Sequence, residues 1–380
     1  MVFQEDIIAE KIRRNVRRIQ MIDVAAAYNL ERALRKVAAT TSAPGSDGVT
    51  SRQLRQDAVY HILSIQRLLL LRLYRPGPLR KVRLQKPSGG YRTIQIPRMM
   101  DRLVGRAILN LVAPKFQPYF PDANFAFQRG RGVLEAVYEA TTATKGFKGW
   151  IVKTDISSFF DRLQHRLLLQ KLEALPIDDD LLHLVALFFS NNRRGKSTAG
   201  IGVPQGSVLS PFLANLYLAD FDRSIGELRI RMIRYADDIF CLSHSKRAAT
   251  SVLENLKRTL KPVRLVLSEN KTKIVSAKTG LEFLGFWISS QGCSISDSVI
   301  VEYKEQVTRS LNRLANARAK QEELTDYAIG WLSFYSKGVT DESVMQVAEW
   351  TAQRCGGQLG SDMIAKIIQS GTGWSREDSD

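Results

Sequence analysis

Three acidic residues lie in apolar surroundings in this sequence. Asp237 and Asp238 are adjacent in the segment RYADDIF, and Asp155 ends the apolar run of WIVKTD. Each of them alone is explained as well by a surface turn. Together they indicate cations, because buried carboxylates cost free energy without a partner and neighbouring carboxylates repel each other. Hard divalent ions prefer such oxygen ligands, so the aspartates predict two Mg²⁺ ions, with Mn²⁺ as the alternative metal.

Two metal ions about 3.5 to 4 Å apart activate an attacking hydroxyl and stabilise the leaving oxygen of a phosphoryl transfer. The composition indicates a polyanionic substrate, because 55 Lys and Arg residues against 38 Asp and Glu residues give a net charge of +17. Nucleic acid is favoured over a membrane, since the sequence contains no run of about 18 apolar residues. The three cysteines form no close pair, which argues against disulfides and zinc, and the N-terminal segment lacks a signal-like apolar region. We therefore expect a cytoplasmic protein with no membrane partner.

Strand-like and helical segments alternate around the aspartates. WIVKTD is predicted to be a strand that ends at Asp155 and is followed by a helix in LQHRLLLQKLEAL. RIRMIRYADDIFCLS predicts two strands with the paired aspartates near the bend, and VRLVLS and LEFLGFWISS predict further strands. These segments describe an α+β unit.

Basic segments flank this unit. LRKVRLQKPSGGYRTIQIPR contains two alternating runs joined by a Pro-Ser-Gly-Gly turn, a pattern typical of a β-hairpin whose outward side chains are mostly Lys and Arg. Residues 1 to about 42 are predicted to be helical and basic, and the chain is predicted to be helical again from about residue 297 to its end.

Four segments occur in an order that resembles the motif series of reverse transcriptases. They are DISSFFD, GVPQGSVLSPFLANLYL, YADD and LEFLGFWI. The pattern is most similar to the bacterial group II intron-like class, which includes defence-associated and retron-like enzymes. The resemblance implies an α+β right-hand polymerase, with fingers and a palm built on an antiparallel sheet, followed by a helical thumb.

The resemblance also implies a division of the chain. Residues 1–50 are expected to form a basic helical N-terminal extension and residues 51–150 the fingers with part of the palm. Residues 151–295 are expected to form the palm with the catalytic aspartates, and residues 296–380 a helical thumb or C-terminal region.

The family's metal ligands are carried over to matching positions. Asp155 and Asp237 correspond to metal ligands, and Asp238 completes the catalytic group. The backbone carbonyl of Ile156 corresponds to a further ligand. Lys271, in LSENKTKI, corresponds to the lysine that approaches the leaving pyrophosphate as a general acid, with Lys273 as the second choice.

The family's nucleotide-binding residues also have counterparts here. Phe160 matches the aromatic gate that excludes a ribose 2′-hydroxyl by its bulk, with a core phenylalanine as the other interpretation. Gln205 and Gly206, in VPQGSVLSP, match residues that touch the nucleotide and template, although a loop that caps the following helix explains them too.

The basic hairpin and one later turn complete the carried-over residues. Arg92 matches the arginine that grips the triphosphate, because its guanidinium makes paired charge-assisted bonds. Further candidates for the triphosphate are Lys81, Arg83 and Lys86. FLGF resembles the primer grip, with Leu284, Gly285 and Phe286 as its residues and a glycine in an edge strand as the alternative.

The sequence thus indicates an RNA-directed DNA polymerase that copies an RNA template into cDNA from dNTPs. The expected partner is a structured non-coding RNA, and the oligomeric state is open. The expected role is phage defence in a compact bacterial enzyme, with a group II intron or retron enzyme, or an RNA-binding maturase-like protein, as alternatives. A polymerase of ribonucleotides is disfavoured by Phe160.

Overall fold

The structure is a computed structural model that describes residues 17–40, 43–85, 90–190, 200–313, 318–339 and 343–355. Its contacts divide the chain into two compact units. The first unit comprises Met1–Gln128, Ile156–Arg229 and Asn255–Ser268. The second unit comprises Arg129–Asp155, Ile230–Glu254 and Glu269–Asp380.

The first unit begins with four helices that bury one apolar face each. They are α1 (Met21–Ala25), α2 (Ala27–Ala38), α3 (Ser51–Gln56) and α4 (Ala58–Leu70). Leu30, Leu34 and Val37 lie on the buried side of α2, as expected for apolar residues at helical spacing. The long helix α5 (Met99–Phe116) packs against α2, and the Asn29 side chain donates a hydrogen bond of 3.0 Å to the carbonyl of Ala107. The remainder of the predicted N-terminal helical region, residues 1–16, lies outside the described residues.

The basic hairpin predicted from the alternating runs is present in the first unit. Strands β1 (Arg80–Gln85) and β2 (Tyr91–Ile96) pair antiparallel from Arg80↔Ile96 to Gln85↔Tyr91. Nearly all of β1 is exposed, in agreement with its basic outward positions.

The rest of the first unit is helical. After α6 (Val133–Thr144) and β3 (Trp150–Asp155), which belong to the second unit, come the first-unit helices. They are α7 (Phe159–Arg162), α8 (His165–Glu173), α9 (Asp179–Ser190) and α10 (Ser210–Glu227). Helix α10 begins at Ser210-Pro211, since proline is favoured in the first turn of a helix.

A four-stranded sheet forms the centre of the second unit. It contains β3 with β4 (Met232–Tyr235), β5 (Asp238–Ser243) and β6 (Lys273–Ser276), in the order β4-β5-β3-β6. All neighbouring strands pair antiparallel, because β5 follows β4 through a tight turn and β3 runs against both of its neighbours. Ile151 and Val152 are fully buried, which fixes β3 as an interior strand.

A second sheet and three helices complete the second unit. Strands β7 (Leu281–Phe283), β8 (Phe286–Ser289) and β9 (Gly292–Ile295) form an antiparallel meander. The helices are α12 (Asp297–Arg313), α13 (Arg318–Ser336) and α14 (Ser343–Cys355). The chain between β5 and β6 forms α11 (Lys246–Leu260), of which residues 246–254 belong to the second unit, and a 3₁₀ turn at Glu269–Lys271. The ring of Tyr303 stacks on that of Trp331 at 4.2 Å between centroids, so aromatic contacts hold α12 and α13 together.

One predicted strand is absent. The segment VRLVLS, residues 263–268, forms turns and a single isolated bridge between Ile156 and Leu267 in place of a strand. Burial alternates in this segment, since Leu265 and Leu267 are buried and Val266 is 48% exposed, but the only bridge is the isolated one at Leu267. In the described part of the chain, no helix has the length and apolar character needed to cross a membrane.

Candidate active site

The strand register of the central sheet brings the three aspartates together. Asp155 is the last residue of β3 and pairs with Asp238, the first residue of β5. Asp237 lies in the turn between β4 and β5. One carboxylate oxygen from each of the three residues lies within 4.8 Å of the others. Asp155 is 5% exposed, so at least one carboxylate of the cluster is buried.

Two lysines neutralise part of this negative charge. The Nζ atom of Lys271 donates a hydrogen bond of 2.7 Å to Oδ2 of Asp155. The register of β3 with β6 explains this contact, because Lys153 pairs with Lys273 and two further residues along each strand place Asp155 opposite Lys271. Lys153, which the sequence interpretation missed, lies 2.9 Å from Oδ1 of Asp238 through its own Nζ atom. The available signal was its position two residues before Asp155, which puts both side chains on one face of β3.

Burial and mutual repulsion perturb the protonation of the cluster. Burial, together with the charges of Asp155 and Asp238, raises the pKa of Asp237 to about 6. Burial opposes the charge of Lys271, but its hydrogen bond to Asp155 and the charges of the three aspartates outweigh this and raise its pKa. The three carboxylates therefore repel one another when ionised, and a further cation would offset this repulsion.

The turn that carries Asp237 is held from below by a buried arginine. Ala236 adopts a left-handed conformation with φ of 55°, which is unfavourable for a residue with a Cβ atom. Arg234 is fully buried, and its Nη1 atom donates a hydrogen bond of 2.9 Å to the carbonyl of Ala236. The sequence places Arg234 and Tyr235 on opposite faces of a strand, but it does not reveal that the guanidinium of Arg234 is buried.

The candidate nucleotide-binding residues of the first unit lie in α7 and in the loop before α10. Phe160 is half-buried, whereas its neighbour Phe159 is 2% exposed and belongs to the core. The carbonyl of Phe160 accepts a hydrogen bond of 2.8 Å from the amide of Val203. The Gln205 side chain donates a hydrogen bond of 3.1 Å to Asp161, a residue to which the sequence interpretation gave no role. The loop is thus fixed to the segment that follows Asp155 in the chain.

A strand of the basic hairpin is joined to the same loop. The amide of Gln95 donates a hydrogen bond of 2.8 Å to the carbonyl of Gln205. Gly206 has φ of 122°, and a Cβ atom there would lie 2.5 Å from the carbonyl oxygen of Gln95. Glycine is therefore required at this position because no side chain fits.

The cationic residues of the hairpin are only partly described. Lys81 and Arg83 lie in β1 with exposed side chains. Arg92 lies in β2 and pairs with Leu84, but its side chain is outside the described part, as is the whole of Lys86.

Comparison with known proteins identifies the family. The profile of the family described as "Reverse transcriptase (RNA-dependent DNA polymerase)" matches residues 84–288. This chain belongs to the reverse transcriptase family. The match includes all three aspartates and the loop before α10, and the right-hand polymerase fold expected from the sequence is thereby confirmed.

Several curated proteins are similar to this reverse transcriptase. Protein YkfC of Escherichia coli (strain K12) is 27% identical over 64% of this chain and 74% of its own length. The group II intron-encoded protein LtrA of Lactococcus lactis subsp. cremoris is 29% identical over 42% of this chain and 27% of its own length. The retron Ec83 reverse transcriptase of Escherichia coli is 25% identical over 52% of this chain and 64% of its own length. The match to a group II intron protein and a retron enzyme agrees with the expected class.

The candidate primer grip of the reverse transcriptase is the turn between β7 and β8. Leu284 and Gly285 both have positive φ, of 53° and 87°, so the glycine lies in a turn and not in an edge strand. A Cβ atom at Gly285 would lie 2.9 Å from the hydroxyl oxygen of Tyr335 on α13. Phe286 is fully buried and stacks against Tyr335 with centroids 5.0 Å apart, which anchors the turn.

The carboxylate cluster has the chemistry of a divalent-metal site. All three side chains offer oxygen, the ligand that Mg²⁺ and Mn²⁺ prefer. Burial and the charges of Asp155 and Asp238 raise the pKa of Asp237, and a cation at the cluster would favour its ionised form. The fourth candidate ligand, Ile156, is fully buried and its backbone forms the bridge to Leu267.

Arg234→Met is expected to weaken both the fold and metal binding. The substitution removes the bond that holds the carbonyl of Ala236, so we expect a loss of about 1–3 kcal/mol in the free energy of unfolding. Because the turn then positions Asp237 less firmly, Mg²⁺ binding should weaken as well. Urea denaturation and calorimetric titration with Mg²⁺ measure the two effects.

The matched control is Arg231→Met. Arg231 is 54% exposed and pairs with Glu139, so its loss should change the free energy of unfolding by less than about 0.5 kcal/mol. Equal effects of the two substitutions would contradict the role given to Arg234.

Proposed function

We propose that this reverse transcriptase extends a primer on an RNA template by adding dNTPs, with Mg²⁺ held by the aspartate cluster. The observation that carries the proposal is the convergence of Asp155, Asp237 and Asp238, whose carboxylate oxygens lie within 4.8 Å of one another. Two divalent ions bound there would supply activation of the primer 3′-hydroxyl and neutralisation of the negative charge that develops on the phosphate.

Lys271 is proposed to assist the departure of pyrophosphate. Its side chain is 58% exposed, and its pKa is raised, so the ammonium group stays protonated above neutral pH. A protonated amine on an accessible side chain is suited to donate a proton to a leaving phosphate oxygen. Lys153, with 19% exposure, is better suited to hold Asp238 in place.

Nucleotide selection is proposed for the first unit. Phe160 presents a partly exposed ring that is suited to exclude a 2′-hydroxyl, while Gln205 and Gly206 offer a side-chain amide and open backbone to the base pair. The exposed Lys81 and Arg83 of the hairpin provide positive charge for the triphosphate. Arg92 and Lys86 are proposed for the same task from the sequence pattern alone.

The proposed partners follow from this chemistry. They are an RNA template, a DNA primer or cDNA product, and dNTPs. The net charge of +17 supports tight binding of such polyanions and predicts that affinity falls as salt concentration rises.

Primer extension on an RNA template tests the proposed activity. The wild-type chain, with a DNA primer annealed to RNA, dNTPs and Mg²⁺, is expected to produce full-length cDNA. Asp155→Ala is expected to lose about a thousandfold or more in rate, because it removes a ligand and leaves Lys271 without its partner. Absence of synthesis by the folded wild-type chain, or synthesis by Asp155→Ala at the wild-type rate, would refute the proposal.

For the biological role we propose phage defence with a dedicated structured RNA as template. Support comes from the group II intron-like motif pattern, which defence-associated enzymes share. Intron mobility and retron synthesis are the alternatives, since relatives of both kinds match the chain. Sequencing the RNA and DNA that copurify with the chain separates the three roles, because each copies a different template.

A further inference from the structure

The solvent-facing side of α4 and of the turn that follows it is apolar. Six exposed apolar side chains and one arginine form what we name the α4 face: Val59, Tyr60, Leu63, Arg67, Leu70, Leu71 and Leu73. Val59, Leu63 and Leu70 are four and seven residues apart, which places them in one row along the helix. The opposite side, with Ile62 and Leu69, is buried in the first unit. Helix α4 is therefore apolar on two sides, whereas a surface helix of a monomer normally carries polar residues outward.

The α4 face carries little charge. Arg67 is the only Asp, Glu, Lys or Arg residue from position 58 to position 71, although 24% of the chain is charged. The neighbouring helix α3 shows the contrast, because its exposed residues include Arg52 and Arg55. The low charge of α4 makes contact with another apolar surface more favourable than contact with water.

The turn at the end of the α4 face is fixed to the first unit. Arg72 has φ of 61°, a conformation typical of a turn that ends a helix. The amides of Leu73 and Tyr74 donate hydrogen bonds of 2.8 and 3.1 Å to the carbonyl of Leu68. The Tyr74 hydroxyl donates a hydrogen bond of 2.7 Å to the buried carboxylate of Asp101. The apolar side chains therefore lie on a fixed backbone, and a partner that binds them has little chain to order.

The size of the α4 face suits an interface between two proteins. Val59 and Tyr60 are 72% and 70% exposed, and the other apolar residues of the face are about half exposed or more. At roughly 100 Å² for each of them, the six side chains present about 600 Å², the upper end of the range for the largest patch on a monomer. An ordinary interface buries about 800 Å² on each partner, of which about two thirds is apolar in homodimers. The α4 face by itself supplies that apolar part.

The α4 face is complementary to a second copy of itself. Both of its ends are apolar, with Val59 at one end and Leu71 at the other. In an antiparallel pair of α4 helices related by a two-fold axis, each end meets the opposite end of the second copy. The axis then passes between Leu63 and Arg67, at the middle of the face. Leu63 of one copy meets the aliphatic part of Arg67 of the other, whose guanidinium reaches solvent.

We propose that this chain forms a two-fold symmetric dimer in which the α4 faces of two copies pack antiparallel against each other. A second copy supplies an apolar surface of matching length by symmetry, whereas a different protein would need a matching surface of its own. Residues 1–16, which precede the first described residue, are another candidate occupant. Six of these sixteen residues are charged, so they match a nearly uncharged face less well than the face matches itself. The proposal goes beyond the polymerase function and does not depend on it.

Sedimentation of the full-length chain after nuclease treatment tests the proposal. Measurements between about 0.5 and 50 µM are expected to show a monomer–dimer equilibrium with a Kd of about 1 µM or below. Two chains of charge +17 repel each other, so the dimer should be at least as tight in about 0.5 M salt as in about 0.15 M salt. Copies bridged by residual nucleic acid would separate in the higher salt.

Two substitutions of Leu63 test the geometry of the dimer. Leu63→Arg places a second arginine beside Arg67 of the other copy, so the Kd should rise by about a hundredfold or more. Leu63→Glu introduces a charge of the opposite sign, which Arg67 of the other copy can pair with, so its dimer should be about tenfold or more tighter than that of Leu63→Arg. Leu63 is 59% exposed, so both variants should keep the circular dichroism spectrum of the wild-type chain.

Val301→Arg is the matched control. Val301 is 56% exposed on α12, outside the α4 face, so this substitution should change the Kd of the dimer by less than about twofold.

Three results would overturn the proposal. The first is a wild-type chain that stays monomeric at the highest concentration, as expected if residues 1–16 or another protein covers the face. The second is association that disappears in the higher salt, which indicates bridging by nucleic acid. The third is equal weakening by Leu63→Arg and either Leu63→Glu or Val301→Arg. Failure of primer extension refutes the polymerase function alone, because sedimentation requires neither dNTPs nor Mg²⁺.

Discussion

Asp237→Asn is expected to reduce the rate of dNTP incorporation by about a thousandfold and to stabilise the protein in the absence of metal. The loss of activity follows from the role proposed for Asp237 as a metal ligand. The gain in stability follows from the same electrostatics, because the ionised carboxylate of Asp237 is buried beside two others and its pKa is raised to about 6. Asparagine keeps the shape and removes the repulsion.

The pH dependence follows from the direction of the shift. The folded protein binds a proton on Asp237 more tightly than the unfolded chain does, so this group destabilises the fold above pH of about 6. As pH falls through that value, the metal-free wild-type protein should regain about 1–3 kcal/mol from this residue. Asp237→Asn should show no such gain. Thermal denaturation in EDTA between pH 5 and 8 measures it, and added Mg²⁺ should remove the difference for the wild-type chain.

Asp220→Asn is the control with the opposite sign. Burial opposes the charge of Asp220, but Lys171 and Arg223 outweigh this and lower its pKa, so its carboxylate stabilises the fold above its unfolded pKa. Asp220→Asn should therefore destabilise the protein at neutral pH. Equal effects of Asp220→Asn and Asp237→Asn on stability would contradict the electrostatic explanation.

Phe160→Val is expected to admit ribonucleotides. The ring of Phe160 is partly exposed in the first unit, and Val203 fixes its backbone through a hydrogen bond of 2.8 Å. A rigid wall discriminates by clash, so its removal should raise kcat/KM for a ribonucleotide, relative to the matching deoxynucleotide, by about tenfold or more. Single-nucleotide incorporation on an RNA template measures this ratio.

Phe159→Leu is the matched control for the gate. Phe159 packs in the core with its ring 5.3 Å from that of Phe160, so this substitution should lower stability and leave the nucleotide preference unchanged. If Phe160→Val discriminates as the wild type does, the gate proposed for Phe160 is refuted.

The sequence was most informative where a pattern is local. The alternating runs around Pro-Ser-Gly-Gly predicted the hairpin Arg80–Ile96, and the apolar run WIVKTD predicted the strand that ends at Asp155. The prediction was wrong for VRLVLS because a strand forms only when a neighbouring strand pairs with it. In this segment the only bridge is the isolated one between Leu267 and Ile156. Propensity expresses what a segment tolerates, whereas pairing depends on distant residues.

The sequence by itself determined the family, the three aspartates and the candidate nucleotide residues, because these depend on residue type and order along the chain. Only the tertiary structure decided which lysines contact the aspartates. Lys271 and Asp155 are 116 residues apart in the sequence, and strand pairing brings them together. The tertiary structure also decided that the guanidinium of Arg234 is buried beside the turn that carries Asp237. Burial and pairing are properties of the folded chain, and charge alone does not reveal them.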